Sequence, residues 1–215
     1  MNFLRRWIAP GGARDARAGA RWVVLDTETT GVDPDTDALL AIGAVAVEDE
    51  GIRAADSFEI VVRHAGTIDP ANVVVHGLGH AALDAGTAPS LALDAFRRWV
   101  DEAPCLAYHA DFDRRVLDRA ARLAGVAPLV GPWLDIAPVA ASLHPDLARK
   151  GAGALDDWLG LYGIACVSRH NAASDALAAA ELLLRLRSAA ASQGTDGFDG
   201  LKALARDRRW LGHRR

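Results

Sequence analysis

Trp22 to Gly31, WVVLDTETTG, is an apolar run that ends in two carboxylates one residue apart, Asp26 and Glu28. Side chains alternate along an extended strand, so Val24, Asp26 and Glu28 share one face while Val23, Leu25 and Thr27 share the other. Like charges side by side at the end of a buried strand repel, and a divalent cation held between them removes that repulsion. A strand that merely runs out into a polar loop carries the same residue types, because acidic residues also mark ordinary turns.

Two further carboxylates stand where apolar residues are expected. Asp113 opens a helical segment in which Val116, Leu117 and Ala120 follow at three, four and seven residues, which places it on the apolar side. Arg114, Arg115, Asp118, Arg119 and Arg122 fill the polar side. The favourable dipole of a first helical turn is the competing explanation, and Asp111 suits it better than Asp113. Asp175 is flanked at helical spacing by Ala172, Ala179 and Leu182, again on an inward or boundary face. Burying one unpaired charge is expensive. Asp26, Glu28, Asp113 and Asp175 are understandable together if they share cations, and four oxygen donors without cysteine suit Mg²⁺ or Mn²⁺ rather than zinc. A helix that starts after Asn171, a good N-cap, leaves His170 on the preceding loop, where it can swing over such a site and accept a proton from water.

The elements that must position these residues follow from hydrophobic period and punctuation. After the first strand, Val32 to Asp37 reads as a loop, and Leu39 to Val47 and Ile52 to Val62 read as strands joined through Glu48-Asp49-Glu50-Gly51. Leu93, Phe96, Trp99 and Val100 form the stripe of a helix beginning near residues 87–90. Cys105 to His109 reads as a short buried strand, and Phe112 to Ala124 as a helix stopped by Gly125. Trp133 to Asp135 reads as a last strand leading into a helix through Leu143, followed by helices at Leu155 to Tyr162, Ala172 to Ala191 and Phe198 to Leu211. The order β-β-β-α-β-α-β-α predicts an α/β domain with a mixed sheet, an antiparallel meander followed by crossover strands with flanking helices.

With 215 residues, 51% of them hydrophobic and 24% charged, the chain has enough apolar material to bury one generous core. No apolar run approaches the roughly 20 residues of a membrane helix, and the expected location is the cytoplasm without membrane attachment. Cys105 and Cys166 have no paired spacing and read as reduced thiols. The net charge of −4 argues against a general nucleic-acid coat, yet both ends are basic. Arg5, Arg6, Arg14, Arg17 and Arg21 precede the core, and Arg206, Arg208, Arg209, Arg214 and Arg215 close the chain. Such arms meet phosphates or stand as solvated tails. Phe3, Leu4, Trp7 and Ile8 have helical spacing ahead of Pro10-Gly11-Gly12, as a short add-on helix would.

Taken together, three segments resemble the DEDDh 3′→5′ exonucleases, the family that includes the proofreading subunit of bacterial replicative polymerase. They are Asp26-Thr-Glu28-Thr-Thr-Gly31, Tyr108 to Asp113, and His170-x-Ala-x-x-Asp175-Ala176, in the family's order. Tyr108 and His109 stand where relatives often have His and Asn, and Ala71 where some have a sugar-contacting Glu. The resemblance implies a ribonuclease-H-like fold, with an exonuclease domain over residues 21–191, a basic extension at 1–20 and a basic amphipathic extension at 192–215. It implies release of nucleoside 5′-monophosphates from a nucleic-acid 3′ end, DNA before RNA, by two divalent cations, Mg²⁺ or Mn²⁺. Asp26, Glu28, Asp113 and Asp175 are the implied metal ligands, with His170 as general base alongside catalytic Asp26 and Glu28. Thr27, Thr29 and His76 are the implied contacts to the terminal nucleotide. The amphipathic ends would meet a DNA polymerase or another replication or repair protein.

Overall fold

The computed structural model describes residues 21–212. Three strands form the expected antiparallel meander: β1 (Trp22–Thr29), β2 (Leu39–Glu48) and β3 (Gly51–Val61). Two short strands, β4 (Cys105–Ala107) and β5 (Trp133–Asp135), add in parallel, giving the order β3-β2-β1-β4-β5. β1 thus lies at the centre, flanked by one antiparallel and one parallel neighbour. Its alternation divides the hydrophobic interior. Val23 and Leu25 join Ile42, Ala44 and Phe58 beneath α3 (Pro89–Val100) and α4 (Ala110–Ala124). Trp22 and Val24 join Val45 and Val47 beneath α5 (Ile136–Leu143), α7 (Leu155–Tyr162), α8 (Ala172–Ala191) and α9 (Phe198–Gly212).

Three short helices appear where the hydrophobic period indicates nothing: α1 (Pro70–His76), α2 (His80–Asp84) and α6 (Pro145–Arg149). They hold five to seven residues each, too few to show a stripe. α1 still carries end signals. Asp69 caps Ala71 N–H at 2.8 Å, Pro70 opens the helix, and Gly77 closes it with φ +70°. β4 ends at Ala107 instead of continuing to His109, because His109 turns into the left-handed region (φ +62°) and starts α4 at once.

The segment beyond residue 191 adds to the same core. Leu201 on α9 is fully buried, Ser142 Oγ donates to the Leu204 carbonyl at 2.8 Å, and Phe198 packs edge-on against Trp22. The proposed helix at Phe3 to Ile8 and the arginines before residue 21 lie outside the described residues. Cys105 and Cys166 are both free thiols. Among the described residues no helix is long and apolar enough to cross a membrane.

Candidate active site

Asp26 and Glu28 project from the last turn of the β1 ladder, just before a register shift between Glu28 and Thr29 ends its regular pairing with β2. Opposite Asp26 in that ladder is Gly43, and directly paired residues point to the same side. The missing side chain is what lets a helix approach. A Cβ on Gly43 would lie 2.2 Å from the Ala172 carbonyl carbon and the Ala173 nitrogen. α8 therefore starts on top of the sheet beside Asp26, and Asp175, the fourth residue of α8, is delivered to the two strand carboxylates. One oxygen from each of Asp26, Glu28 and Asp175 lies within 4.8 Å of the others.

The start of α8 is fixed as its sequence requires. Asn171 accepts a hydrogen bond from Ser174 N–H at 3.0 Å, and His170 stands on the loop before it with φ +59°. The loop closes on Asp175, which is buried. His170 N–H donates to Oδ2 at 2.8 Å, while Cys166 Sγ (3.2 Å) and the Arg169 guanidinium reach Oδ1.

Asp113 arrives from the other face of the sheet, in the first turn of α4. It is buried, and its Oδ1 accepts from the Thr27 hydroxyl at 2.8 Å. Its oxygens are not among the three that converge. Its charge nevertheless reaches the cluster and is the leading electrostatic influence on Asp26. Burial, then the charges of Asp113, Glu28 and Asp175, hold the Asp26 carboxyl well above the usual carboxylate range, with Arg169 pulling the other way. Burial and Asp175 push Glu28 up to about 7, again opposed by Arg169. Burial pushes Asp113 to about 7 despite the Thr27 hydrogen bond, which lowers it.

The residues expected to touch substrate take distinct places. Thr27 turns its hydroxyl away from the cluster to Asp113. Thr29 donates its hydroxyl to the Gly31 carbonyl. His76 ends α1 and is buried. Its Nδ1 accepts from Leu78 N–H at 3.1 Å, while Nε2 has no partner among the described residues. Burial and then the nearby His170 lower the pKa of His76. Asn72 donates to the Thr30 carbonyl and so ties α1 to the loop after β1. Tyr108 is a brace, accepting from Trp158 Nε1 at 2.9 Å and donating to the Gly153 carbonyl.

Three participants carry no local sequence signal strong enough to single them out. Gly43 matters only through its register with Asp26. Asp135 caps α5 and accepts His109 N–H at 3.0 Å, fixing where α4 begins. Arg169 is one basic residue among 24.

A family model described as exonuclease matches residues 23–183, a span that contains all four carboxylates and His170. An epsilon-like protein of DNA polymerase III from Rhodobacter capsulatus is 32% identical over 180 residues, 82% of this chain and 25% of its own. A PolC-type DNA polymerase III from Thermotoga petrophila is 27% identical over 166 residues, 77% of this chain and 12% of its own. The chain thus spans a quarter or less of these relatives. E. coli exonuclease I in complex with a dT13 oligonucleotide superposes with a TM-score of 0.68 at 16% identity, over 81% of this chain and 42% of that one. That likeness establishes the ribonuclease-H-like α/β fold. By the family match, this chain belongs to the exonuclease family.

Proposed function

We infer that the chain is a metal-dependent 3′→5′ exonuclease that hydrolyses the terminal phosphodiester of a nucleic acid, DNA first, and releases nucleoside 5′-monophosphates. The observation that carries this reading is the convergence of Asp26, Glu28 and Asp175 within 4.8 Å, beneath the loop that bears His170. The donor set fits hard divalent ions of the Mg²⁺ and Mn²⁺ class. All the converging donors are carboxylate oxygens, and the buried negative charge calls for a cation. Asp26, Glu28, Asp113 and Asp175 would hold a pair of such ions. When bound, the ions supply Lewis-acid polarisation of the phosphodiester and a lowered pKa for water.

The chain's own groups supply the rest. His170 accepts the proton of the attacking water; imidazole is the side chain suited to proton exchange near neutral pH. The bond from its backbone N–H to Asp175 keeps it at the rim of the cluster. Thr27 orients Asp113. The backbone of residues 27–30, Thr29 and His76 hold the terminal nucleotide. DNA is favoured because the relatives are named as DNA polymerase III proteins and the fold neighbour is bound to a DNA oligomer. Those names also support a polymerase, or another replication or repair protein, as partner.

The test uses 5′-labelled and 3′-labelled single-stranded DNA and RNA with Mg²⁺, Mn²⁺ or EDTA. Expected is stepwise shortening from the 3′ end that EDTA and Asp26→Asn reduce to background. His170→Ala should lose about 10²–10⁴ in turnover while Mn²⁺ still raises its melting temperature. Faster cleavage of RNA would replace the DNA reading with oligoribonucleotide trimming. No cleavage under any condition would leave a non-catalytic or partner-dependent subunit.

A further inference from the structure

Arg169 holds two carboxylates of very different surroundings. One end of its guanidinium, Nη1, donates to Asp175 Oδ1; Nε lies 2.8 Å from Asp156 Oδ1 on the first turn of α7. The Asp175 side chain is 5% exposed and the Asp156 side chain 66%. The contact with Asp156 is an ion pair without hydrogen-bond geometry, and the extended planar guanidinium lies against both carboxylates where a lysine ammonium is a single point charge. Arg169 also lowers the pKa of both Asp26 and Glu28, so its charge acts on the whole cluster.

Each carboxylate oxygen has about two lone-pair directions. On Asp175, Oδ1 already meets Arg169 and Cys166, and Oδ2 meets His170 N–H. A divalent ion that takes Oδ1 therefore competes with the guanidinium for the oxygen, and two cations a few ångströms apart also repel. Asp156, in solvent, offers the displaced arginine a place to stay.

We propose that Arg169 is a latch on Asp175. It neutralises the carboxylate cluster in the metal-free protein, and a divalent ion binds through Asp175 by displacing it from Oδ1 toward Asp156. This rests on the reading of the carboxylates as metal ligands. The latch protects the metal-free fold from the repulsion of its own site, and it makes metal binding weaker than the ligand set alone allows. Arg169 is a positioning residue, acting through Asp175.

The experiment is a direct Mn²⁺ titration, with free Mn²⁺ followed by electron paramagnetic resonance, alongside metal-free melting of the full chain. Wild type, Arg169→Ala, Arg169→Lys and Asp26→Asn are compared. The latch predicts that Arg169→Ala binds Mn²⁺ about tenfold more tightly, as expected for loss of one competing charge-assisted hydrogen bond, and melts lower without metal. Arg169→Lys, which keeps the charge but cannot bridge Asp156 and Asp175, tightens binding part of the way and serves alone if the alanine variant does not fold. Unchanged or weaker binding in both Arg169 variants overturns the latch. So does tightening in alanine with lysine equal to wild type, which assigns the effect to charge at a distance. If wild type shows no Mn²⁺ binding that Asp26→Asn removes, the metal reading fails and the latch with it.

Discussion

Asp113 and Asp175 approach the end of β1 from opposite faces of one sheet, yet the chain delivers them by a similar device. Each is the fourth residue of its helix, and each helix is preceded by a histidine with left-handed backbone: His109, φ +62°, is the cap of α4 itself, while His170, φ +59°, stands one residue before the cap Asn171 of α8. Non-glycine residues enter that region rarely, His among those that do so more often. In both, the turn at the histidine leads into a first helical turn that faces the end of β1. The two sites differ in what meets the carboxylate. Asp175 is gripped by Arg169, Cys166 and the His170 N–H. Asp113 has the Thr27 hydroxyl, and burial carries it to about 7. Similar burial thus comes with different partners. The loop before α8 brings its own cation to one carboxylate, while the carboxylate across the sheet meets a hydroxyl.

The sharpest way to separate the two sides is Gly43→Ala. The added Cβ meets backbone atoms of Ala172 and Ala173 at 2.2 Å, which no rotamer change relieves. The start of α8 must shift, and Asp175 and His170 with it, while Asp113 and Thr27 stay in place. A misplacement of about 1 Å at a reacting centre costs on the order of 100-fold, and overpacking costs about 1–3 kcal/mol. Turnover and melting temperature should both fall. Gly160→Ala on α7, where a Cβ meets nothing within 4 Å, is the control and should leave both intact or slightly raise stability. If Gly43→Ala were as active as wild type, the close approach of α8 would not be what assembles the cluster.

A smaller effect separates charge supplied by the chain from charge supplied by solution. In the metal-free protein Glu28 and Asp113 are both pushed up to about 7, from ordinary values near 4. Between those limits the folded state holds protons that the unfolded state has released, so stability falls as pH rises through the window. In EDTA the melting temperature should drop by on the order of 10 °C between pH 5 and pH 8, beyond the change seen in a Glu28→Gln, Asp113→Asn double variant. Mg²⁺ should flatten the slope by taking the place of the protons. A slope that neither Mg²⁺ nor the double variant alters would separate these carboxylates from the metal site.

The parts of this arrangement that repeat along the chain were legible in the sequence. Alternation in β1 assigned Asp26 and Thr27 to opposite faces, the apolar stripe of α4 marked Asp113 as misplaced, and Asn171 located the start of α8 with His170 outside it. Residues joined across the fold left no such trace. Gly43 is an ordinary strand glycine until its register with Asp26 and the approach of Ala172 are known. Arg169 reads as one more surface arginine. The Thr27 hydroxyl bonds to Asp113, 86 residues away, a pairing that strand alternation alone does not reveal. α1 leaves no periodic trace although Asp69, Pro70 and Gly77 mark both its ends, because seven residues are too few to show a period.

Thr27→Val tests the lesser of the two grips. Valine keeps the branched shape in a buried position and removes the hydroxyl, so Asp113 Oδ1 loses the donor that lowers its pKa. Loss of a hydrogen bond to a charged group is worth about 1.5–3 kcal/mol. Protonated Asp113 does not need the donor, so the penalty appears only where Asp113 is ionised. The variant should match wild type in stability at pH 5, fall behind above pH 7, and show its acid limb of turnover displaced to higher pH. Thr27→Ser, which keeps the hydroxyl and loses the methyl, should restore the pH profile while paying a small packing penalty at every pH. A pH-independent loss in Thr27→Val would make Thr27 a packing residue, and the hold on Asp113 would then lie in the backbone of β1 and α4.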